Sequence, residues 1–533
     1  MKPIPPRLSR IPCALALLAL AGSLACATGR ADRTRATPPN APSRVEAAEP
    51  RLPEWIDRFA DGALERAHWG VAVYDLTADR WVARHAAGRF FVPASNLKLI
   101  VTAVGLERLG PDYRWTTSVY GTAPVGEDGT LAGDLVLYGR GDPNLSGRFA
   151  DSMTAIFDSL AVGLAERGVR RVTGDLLADE SLWDADHVRG DWANYDLLWW
   201  YAAPVAALGF NDNAIDFRIE PGEAVGEPPV IESEPESAFY SLENRATTGP
   251  PGSQRTFDFG RVPGTNRVFA YGSVPLDADP FTEWFSIVDP AGWAATVFAE
   301  TLETHGIEVA GDVVTIADPT RSPVAAGDTI ALAEWRSVPL VEVVGSINGR
   351  SQNLHAEMLL KTIGREERGE GSWTAGLAVE RATLAELGVD TTAFLLRDAS
   401  GLASANLATP EALVGLLRAA RDRPWGEAYA ASLPVAAERG SLRRRFANTA
   451  GAGRVRAKTG YIENVHALSG YLTTLDGHER AFSVIVNQTG GESATDAIDA
   501  LVSAIVAGSA FEDPAPEARS VSSTPSPSSS TTP

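Results

Sequence analysis

Pro93 stands ahead of Leu97-Lys98-Leu99-Ile100-Val101-Thr102-Ala103, a run that is apolar almost throughout. A proline followed by such a run predicts the start of a buried helix. The rest of the chain has to be organised around it. Ser95 and Lys98 sit three residues apart at its start and so project from one face. A hydroxyl beside an amine, in surroundings that desolvate the amine, is a nucleophile with a base attached. Lysine usage sharpens that reading. The chain has four lysines, Lys2, Lys98, Lys361 and Lys458, and arginine supplies nearly all the other positive charge. Arginine cannot lose its proton at working pH, whereas a desolvated lysine can. The scarcity marks Lys98 and Lys458 as candidates for chemistry.

The 533 residues are enough for two to four domains with a sizeable core. A formal charge of −21 without any basic run excludes a nucleic-acid footprint. At the N-terminus, Lys2, Arg7 and Arg10 precede the apolar stretch Cys13 to Ala21, which is too short to span a bilayer. Ala25-Cys26-Ala27 follows, so residues 1–27 read as a signal peptide and the protein as secreted into a periplasm. Lipid anchoring at Cys26 is the less favoured alternative. Residues 28–50, rich in Pro, Ala, Arg and Glu, read as a flexible leader. Residues 511–533, largely Ser, Thr and Pro, read as a disordered tail. No later segment has the length and apolarity of a membrane span. The seven histidines lack zinc-site spacing and both cysteines fall before Ala27, so neither metal nor other cofactor is expected.

Between these ends, Leu52–Leu64 is predicted as an amphipathic helix, followed by a hairpin of Trp69–Tyr74 and Trp81–Arg84 leading into the Ser95 helix, which is expected to run to about Leu109. From Tyr113 the texture becomes short β-rich runs with helices at Ser152–Arg167 and Trp293–His305. Residues 113–334 are read as an inserted region, with a nested subdomain at about 212–280, because the flanking segments 51–112 and 335–510 complement each other. Helices are predicted at Pro339–Ile347, Leu354–Ile363, Trp373–Leu387 and Pro410–Arg421. Strands are predicted at Val455–Gly460, Ala467–Thr473 and Arg480–Asn487, and a closing helix at Gly491–Val506.

Three local patterns look chemical: Ser95-Asn96-Leu97-Lys98 on a helix, Ser351-Gln352-Asn353 in a loop between helices, and Lys458-Thr459-Gly460 in a strand. In this order they match the Ser-x-x-Lys, Ser-x-Asn, Lys-Thr-Gly set of penicillin-binding proteins and class A β-lactamases. The chemistry suggests a role for each. Ser95 attacks an acyl carbonyl and Lys98 takes its proton. Ser351 relays a proton to the departing amine, and Asn353 holds Lys98 and the substrate amide. Lys458 and Thr459 meet a terminal carboxylate. Gly460 lets the strand approach an extended peptide, and the backbone N–H groups of Ser95 and Tyr461 form an oxyanion hole.

The chain also resembles a narrower family, the peptidase S13 D-alanyl-D-alanine carboxypeptidase/endopeptidases, which are class C low-molecular-mass penicillin-binding proteins. The resemblance covers roughly residues 52–508 and includes Gly139-Arg140-Gly141-Asp142-Pro143, Tyr201-Ala202-Ala203-Pro204, Ser351 to Glu357, Asp398-Ala399-Ser400-Gly401-Leu402 and Ala457 to Gly460. It implies an α+β fold, with an antiparallel sheet flanked by helices carrying a large, mostly β insertion. It also implies cleavage of D-Ala-D-Ala ends and cross-links in peptidoglycan stem peptides through an acyl-enzyme that β-lactam antibiotics trap. Asp196 and Tyr201 match positions lining the stem-peptide side-chain pocket of relatives. Two departures bear on substrate choice. Tyr461 replaces the usual Thr or Ser after Lys-Thr-Gly, and Ala403-Ser404-Ala405 stand where an Arg is usual after Ser-Gly-Leu. The alternatives are a β-lactamase or esterase of the same fold, and a peptidoglycan-binding protein without catalysis.

Overall fold

A computed structural model describes residues 52–511. The expected signal peptide, the leader, the Cys26 anchor and all but the first residue of the tail lie outside those residues. A five-stranded antiparallel sheet runs in the order Arg80–His85, His68–Asp75, Glu479–Asn487, Val465–Thr473, Val455–Ile462. Its first two strands therefore come from one end of the described chain and its last three from the other. Side chains alternate across a strand, and the sheet uses both faces. Trp69, Val71, Val73, Leu468 and Phe482 pack with Ile498, Leu501 and Ile505 of the closing helix, Thr495–Ala507. Ala72, Tyr74, Ala467, Tyr471 and Ile485 face the main helical layer.

That layer contains Lys98–Arg108, Leu340–Arg350, Asn353–Arg368, Trp373–Glu386, Pro410–Arg421 and Gly426–Ser432, of which the last had no sequence signal assigned to it. Pro410–Arg421 starts where expected because Thr409 accepts the Ala412 N–H as an N-cap and Pro410 occupies the first turn. The other boundaries differ for local reasons. Leu52–Leu64 is two short pieces, Glu54–Asp57 and a 3₁₀ turn at Gly62–Glu65, with Gly62 at φ +62° breaking the helical path. The closing helix begins later than Gly491 because Gly490 and Gly491 are both left-handed, at φ +66° and +86°. The expected loop from Asn348 to Asn353 shrinks to Ser351 and Gln352, since the helix runs on through Gly349 and Arg350 until Ser351 turns left-handed at φ +65°.

Residues between the Lys98 helix and the Leu340 helix carry a second five-stranded sheet, in the order Val313–Ile316, Leu176–Asp179, Leu135–Tyr138, Thr116–Gly121, Ile330–Arg336. Its first and last strands in sequence, Thr116–Gly121 and Ile330–Arg336, pair antiparallel, so this region leaves and re-enters the helical layer side by side. Helices Ala155–Glu166 and Pro290–Thr304 build its apolar core with the sheet. Smaller sheets follow, one of them joining Ala214–Glu220 to Val230–Glu234 and Phe281–Ser286. The whole is an α+β fold.

Candidate active site

Ser95 lies on a 3₁₀ turn, Ala94–Leu97, that feeds directly into the Lys98–Arg108 helix, not on a continuous α-helix from Pro93. The difference is chemically useful, because residues i and i+3 eclipse in a 3₁₀ turn. Lys98 Nζ comes to lie 2.9 Å from Ser95 Oγ. The turn is entered through Ala94 at φ +47°, a strained conformation for a residue with a Cβ. It is pressed in place by Gly401, at φ +81°, where an added Cβ would sit 1.9 Å from the Ala94 carbonyl oxygen.

Lys98 is fully buried. Besides Ser95, Nζ donates to Asn353 Oδ1 at 2.6 Å and to the Ser400 carbonyl at 2.6 Å. Burial pulls its ammonium down to about 7, against the opposing pull of the Glu357 and Asp398 carboxylates. The Ser400 carbonyl is aimed by these same two acids. Glu357 accepts the N–H groups of Ala399 and Ser400, the latter at 2.7 Å, and the Trp373 indole N–H at 2.8 Å. Asp398 accepts the N–H groups of Gly401 and Ala403 together with the side chains of Asn406 and Trp192. Burial raises both carboxyls above their ordinary values, and the Asp398 charge adds to the rise at Glu357.

Asn353, Glu357 and Lys361 follow one another at four-residue spacing along the Asn353–Arg368 helix and form a single stripe. The first holds Lys98 and the second holds the Ser400 loop. Lys361, also fully buried, donates to Asp184 Oδ1 at 2.7 Å and to the Asp186 carbonyl, and lies 4.0 Å from the Trp373 ring centroid.

The outer wall carries the other two motifs. Lys458 Nζ donates to Ser351 Oγ at 2.8 Å, and Thr459 Oγ1 meets Ser441 Oγ at 2.9 Å. Burial and the nearby Lys98 push Lys458 well below the ordinary lysine value. A carboxylate placed against it acts in the opposite direction. At Gly460 the space the missing side chain leaves faces the Pro93 carbonyl, 2.7 Å from an added Cβ, and Ala94. The close approach is therefore between the strand and the turn that carries Ser95. The Tyr461 ring is 68% exposed and lies 5.1 Å, centroid to centroid, from His466.

Asp196 accepts the Tyr201 hydroxyl at 3.2 Å, and the Tyr201 carbonyl accepts Asn353 Nδ2 at 2.6 Å. Both predicted pocket residues thus connect to Lys98 through Asn353. Sequence reasoning assigned no role to Ser400, Glu357, Asp398 or Ser441, although the first three lie inside quoted motifs. His355 pairs with Asp212 at 2.9 Å, and Asp212 also accepts Gln352 Nε2 at 2.9 Å. Those contacts anchor the second region of the chain beside the Ser351 turn. Among the described residues no group of three or more His, Cys, Asp or Glu side chains is placed to hold a metal ion.

The sequence matches the model of the D-Ala-D-Ala carboxypeptidase 3 (S13) family over residues 55–507. It is 37% identical over 475 residues to the D-alanyl-D-alanine carboxypeptidase of an Actinomadura species, covering 86% of this chain and 86% of that protein. The fold matches the crystal structure of penicillin binding protein 4 (dacB) from Haemophilus influenzae with a TM-score of 0.75 at 20% identity, over 85% of this chain and 100% of that one. A structure of the same Haemophilus influenzae protein complexed with a novel β-lactam matches with a TM-score of 0.68 at 20% identity, over 84% and 97% of the two chains. On these grounds the chain belongs to the D-Ala-D-Ala carboxypeptidase 3 (S13) family and is a serine-type peptidase.

Proposed function

We propose that Ser95 is the nucleophile of a D-Ala-D-Ala carboxypeptidase/endopeptidase acting on peptidoglycan stem peptides through an acyl-enzyme. The supporting observation is the surroundings of Lys98 Nζ. A neutral amine has two N–H groups and one lone pair. Asn353 Oδ1 and the Ser400 carbonyl take the two N–H groups, which leaves the lone pair for the Ser95 hydroxyl. With its ammonium lowered to about 7, Lys98 reaches that neutral form at working pH.

In the forward step Ser95 Oγ bonds to the penultimate D-Ala carbonyl while its proton passes to Lys98. Ser351 and Lys458 deliver a proton to the departing amine as the C–N bond breaks. The proton on Lys98 replaces the one Ser351 and Lys458 gave up, so Lys98 is neutral again. Water then displaces the acyl group from Ser95, giving its proton to Lys98, which returns it to Ser95 Oγ. The N–H groups of Ser95 and Tyr461 are the oxyanion donors. Lys458 and Thr459 hold the terminal carboxylate, and Asp196 with Tyr201 flanks the stem-peptide side chain. A β-lactam offers the same carbonyl and carboxylate, and its adduct is expected on Ser95.

Residues 51–112 and 335–510 are proposed as the catalytic domain and 113–334 as its insertion, with the nested part at about 212–280. A secreted, periplasmic setting follows from the N-terminal reading. It agrees with the lack, among the described residues, of any helix long and apolar enough to cross a membrane. Release of D-Ala from diacetyl-Lys-D-Ala-D-Ala tests the function directly. The expected result is D-Ala release together with a long-lived penicillin adduct. Rapid penicillin turnover without D-Ala release supports a β-lactamase instead.

A further inference from the structure

Beside the Ser351 turn a groove of about 900 Å³ runs between the helical layer and the Ala214–Phe285 region. One wall is basic. It carries Arg350, which precedes Ser351, and Arg443, which follows Ser441, the residue whose hydroxyl meets Thr459. Both arginines are exposed, and neither side chain has a hydrogen bond, ion pair or ring contact among the described residues. The facing wall carries Asp216, Glu234 and Trp284, with the Trp284 indole tied to Asp216 at 3.0 Å. Arg148, also on the lining, is already occupied by Asp212.

The position of this groove matters more than its size. On the reading of the site given above, on which this inference rests, Ser351 serves the departing amine and Thr459 the leaving group's carboxylate. Gln352 and Ser441, immediate neighbours of those two groups, line the groove's near end. A leaving group larger than one D-Ala therefore continues into it. We infer that this groove binds the amine-donating strand of a cross-linked stem peptide, with Arg350 and Arg443 holding a carboxylate of that strand. Two guanidinium groups without partners on one wall suit a carboxylate because each offers a planar fork of donors. The bond broken joins the D-Ala carbonyl to a side-chain amine. The amine strand leaves with its added proton, and water later releases the acyl strand from Ser95.

The test uses the enzyme and its Arg350→Ala/Arg443→Ala variant on three substrates sharing the acyl part diacetyl-Lys-D-Ala. The leaving groups are D-Ala, the side-chain amine of lysine in acetyl-Glu-Lys, and the same amine in acetyl-Gln-Lys amide. In the variant, kcat/KM on the Glu-Lys substrate, divided by that on the D-Ala substrate, is expected to fall about tenfold, chiefly through KM. The loss should shrink as salt is raised. Fluorescent penicillin labelling and thermal unfolding of the variant report that the fold is kept. An unchanged ratio overturns the inference. So does an equal loss on the neutral Gln-Lys substrate, since that makes the arginines a matter of shape and not of charge. A wild type that cleaves none of the three overturns the acyl-enzyme reading and this inference with it. A wild type that releases D-Ala yet cleaves neither extended substrate overturns the groove alone.

Discussion

Lys98 and Lys361 are both fully buried lysines in a chain that has four, and they differ in what surrounds the ammonium. Within hydrogen-bonding distance of Lys98 are a hydroxyl, an amide oxygen and a backbone carbonyl, all neutral. Lys361 has the Asp184 carboxylate at 2.7 Å and an indole face at 4.0 Å. Burial lowers both. In Lys361 a contacting anion resists the loss of the proton. In Lys98 the opposing carboxylates, Glu357 and Asp398, act without touching Nζ, and Glu357 is itself pushed toward its neutral form by burial. Lysine scarcity thus flags two different needs: a base that can be discharged, and a cation that fits a narrow aromatic slot. The partner, not the burial, tells them apart.

The largest expected effect separates the two sites outright. Lys98→Arg keeps the charge but removes the base, so the rate of acylation by a β-lactam should fall about 10³-fold. Lys361→Arg should still acylate, and equal losses in the two variants would break the comparison. Gly401→Ala comes next. A methyl group driven against the Ala94 carbonyl, at a left-handed position, should cost about 2 kcal/mol of stability in urea unfolding and slow acylation further by displacing Ser95. Lys361→Met removes the ion pair and keeps the stem. Because Asp184 is partly exposed and stays solvated, the loss should be about 2 kcal/mol, with the folded fraction still forming an adduct. The smallest effect is a profile. Only the neutral amine accepts the Ser95 proton, so the acylation rate should rise with pH through a midpoint near 7 and flatten above it. A rate already flat from pH 5 would mean that Lys98 does not titrate in acylation.

Legibility from sequence followed how local each cause was. The Pro410–Arg421 helix carries its own cap and proline, and its ends were readable. The three motifs were readable because acyl transfer needs a hydroxyl, a dischargeable amine and a carboxylate binder, and few residue types supply them. The family pattern added Asp398 to Leu402 and Leu354 to Glu357 as strings without a mechanism. What those strings do depends on contacts across the fold. Glu357 matters because Ala399 and Ser400 fold over it, and Gly401 matters because the Ala94 turn presses on it. Neither pairing has a local signature. The same holds for Asp212 reaching His355, and for Ser441 arriving beside Thr459 from a separate turn. Gly460 is read from sequence as room for a peptide, and the fold adds a contact with no local signature: the turn carrying Ser95 packs against the same position.

The division of labour between Lys98 and Lys361 has meaning only if Ser95 is the acylated residue. The most direct measurement is peptide mapping by mass spectrometry after incubation with benzylpenicillin, on the wild type and on Ser95→Ala. The expected result is one penicilloyl group on the peptide that contains Ser95 in the wild type, and none in the variant. An adduct on any other residue, or one that persists in Ser95→Ala, would contradict the account.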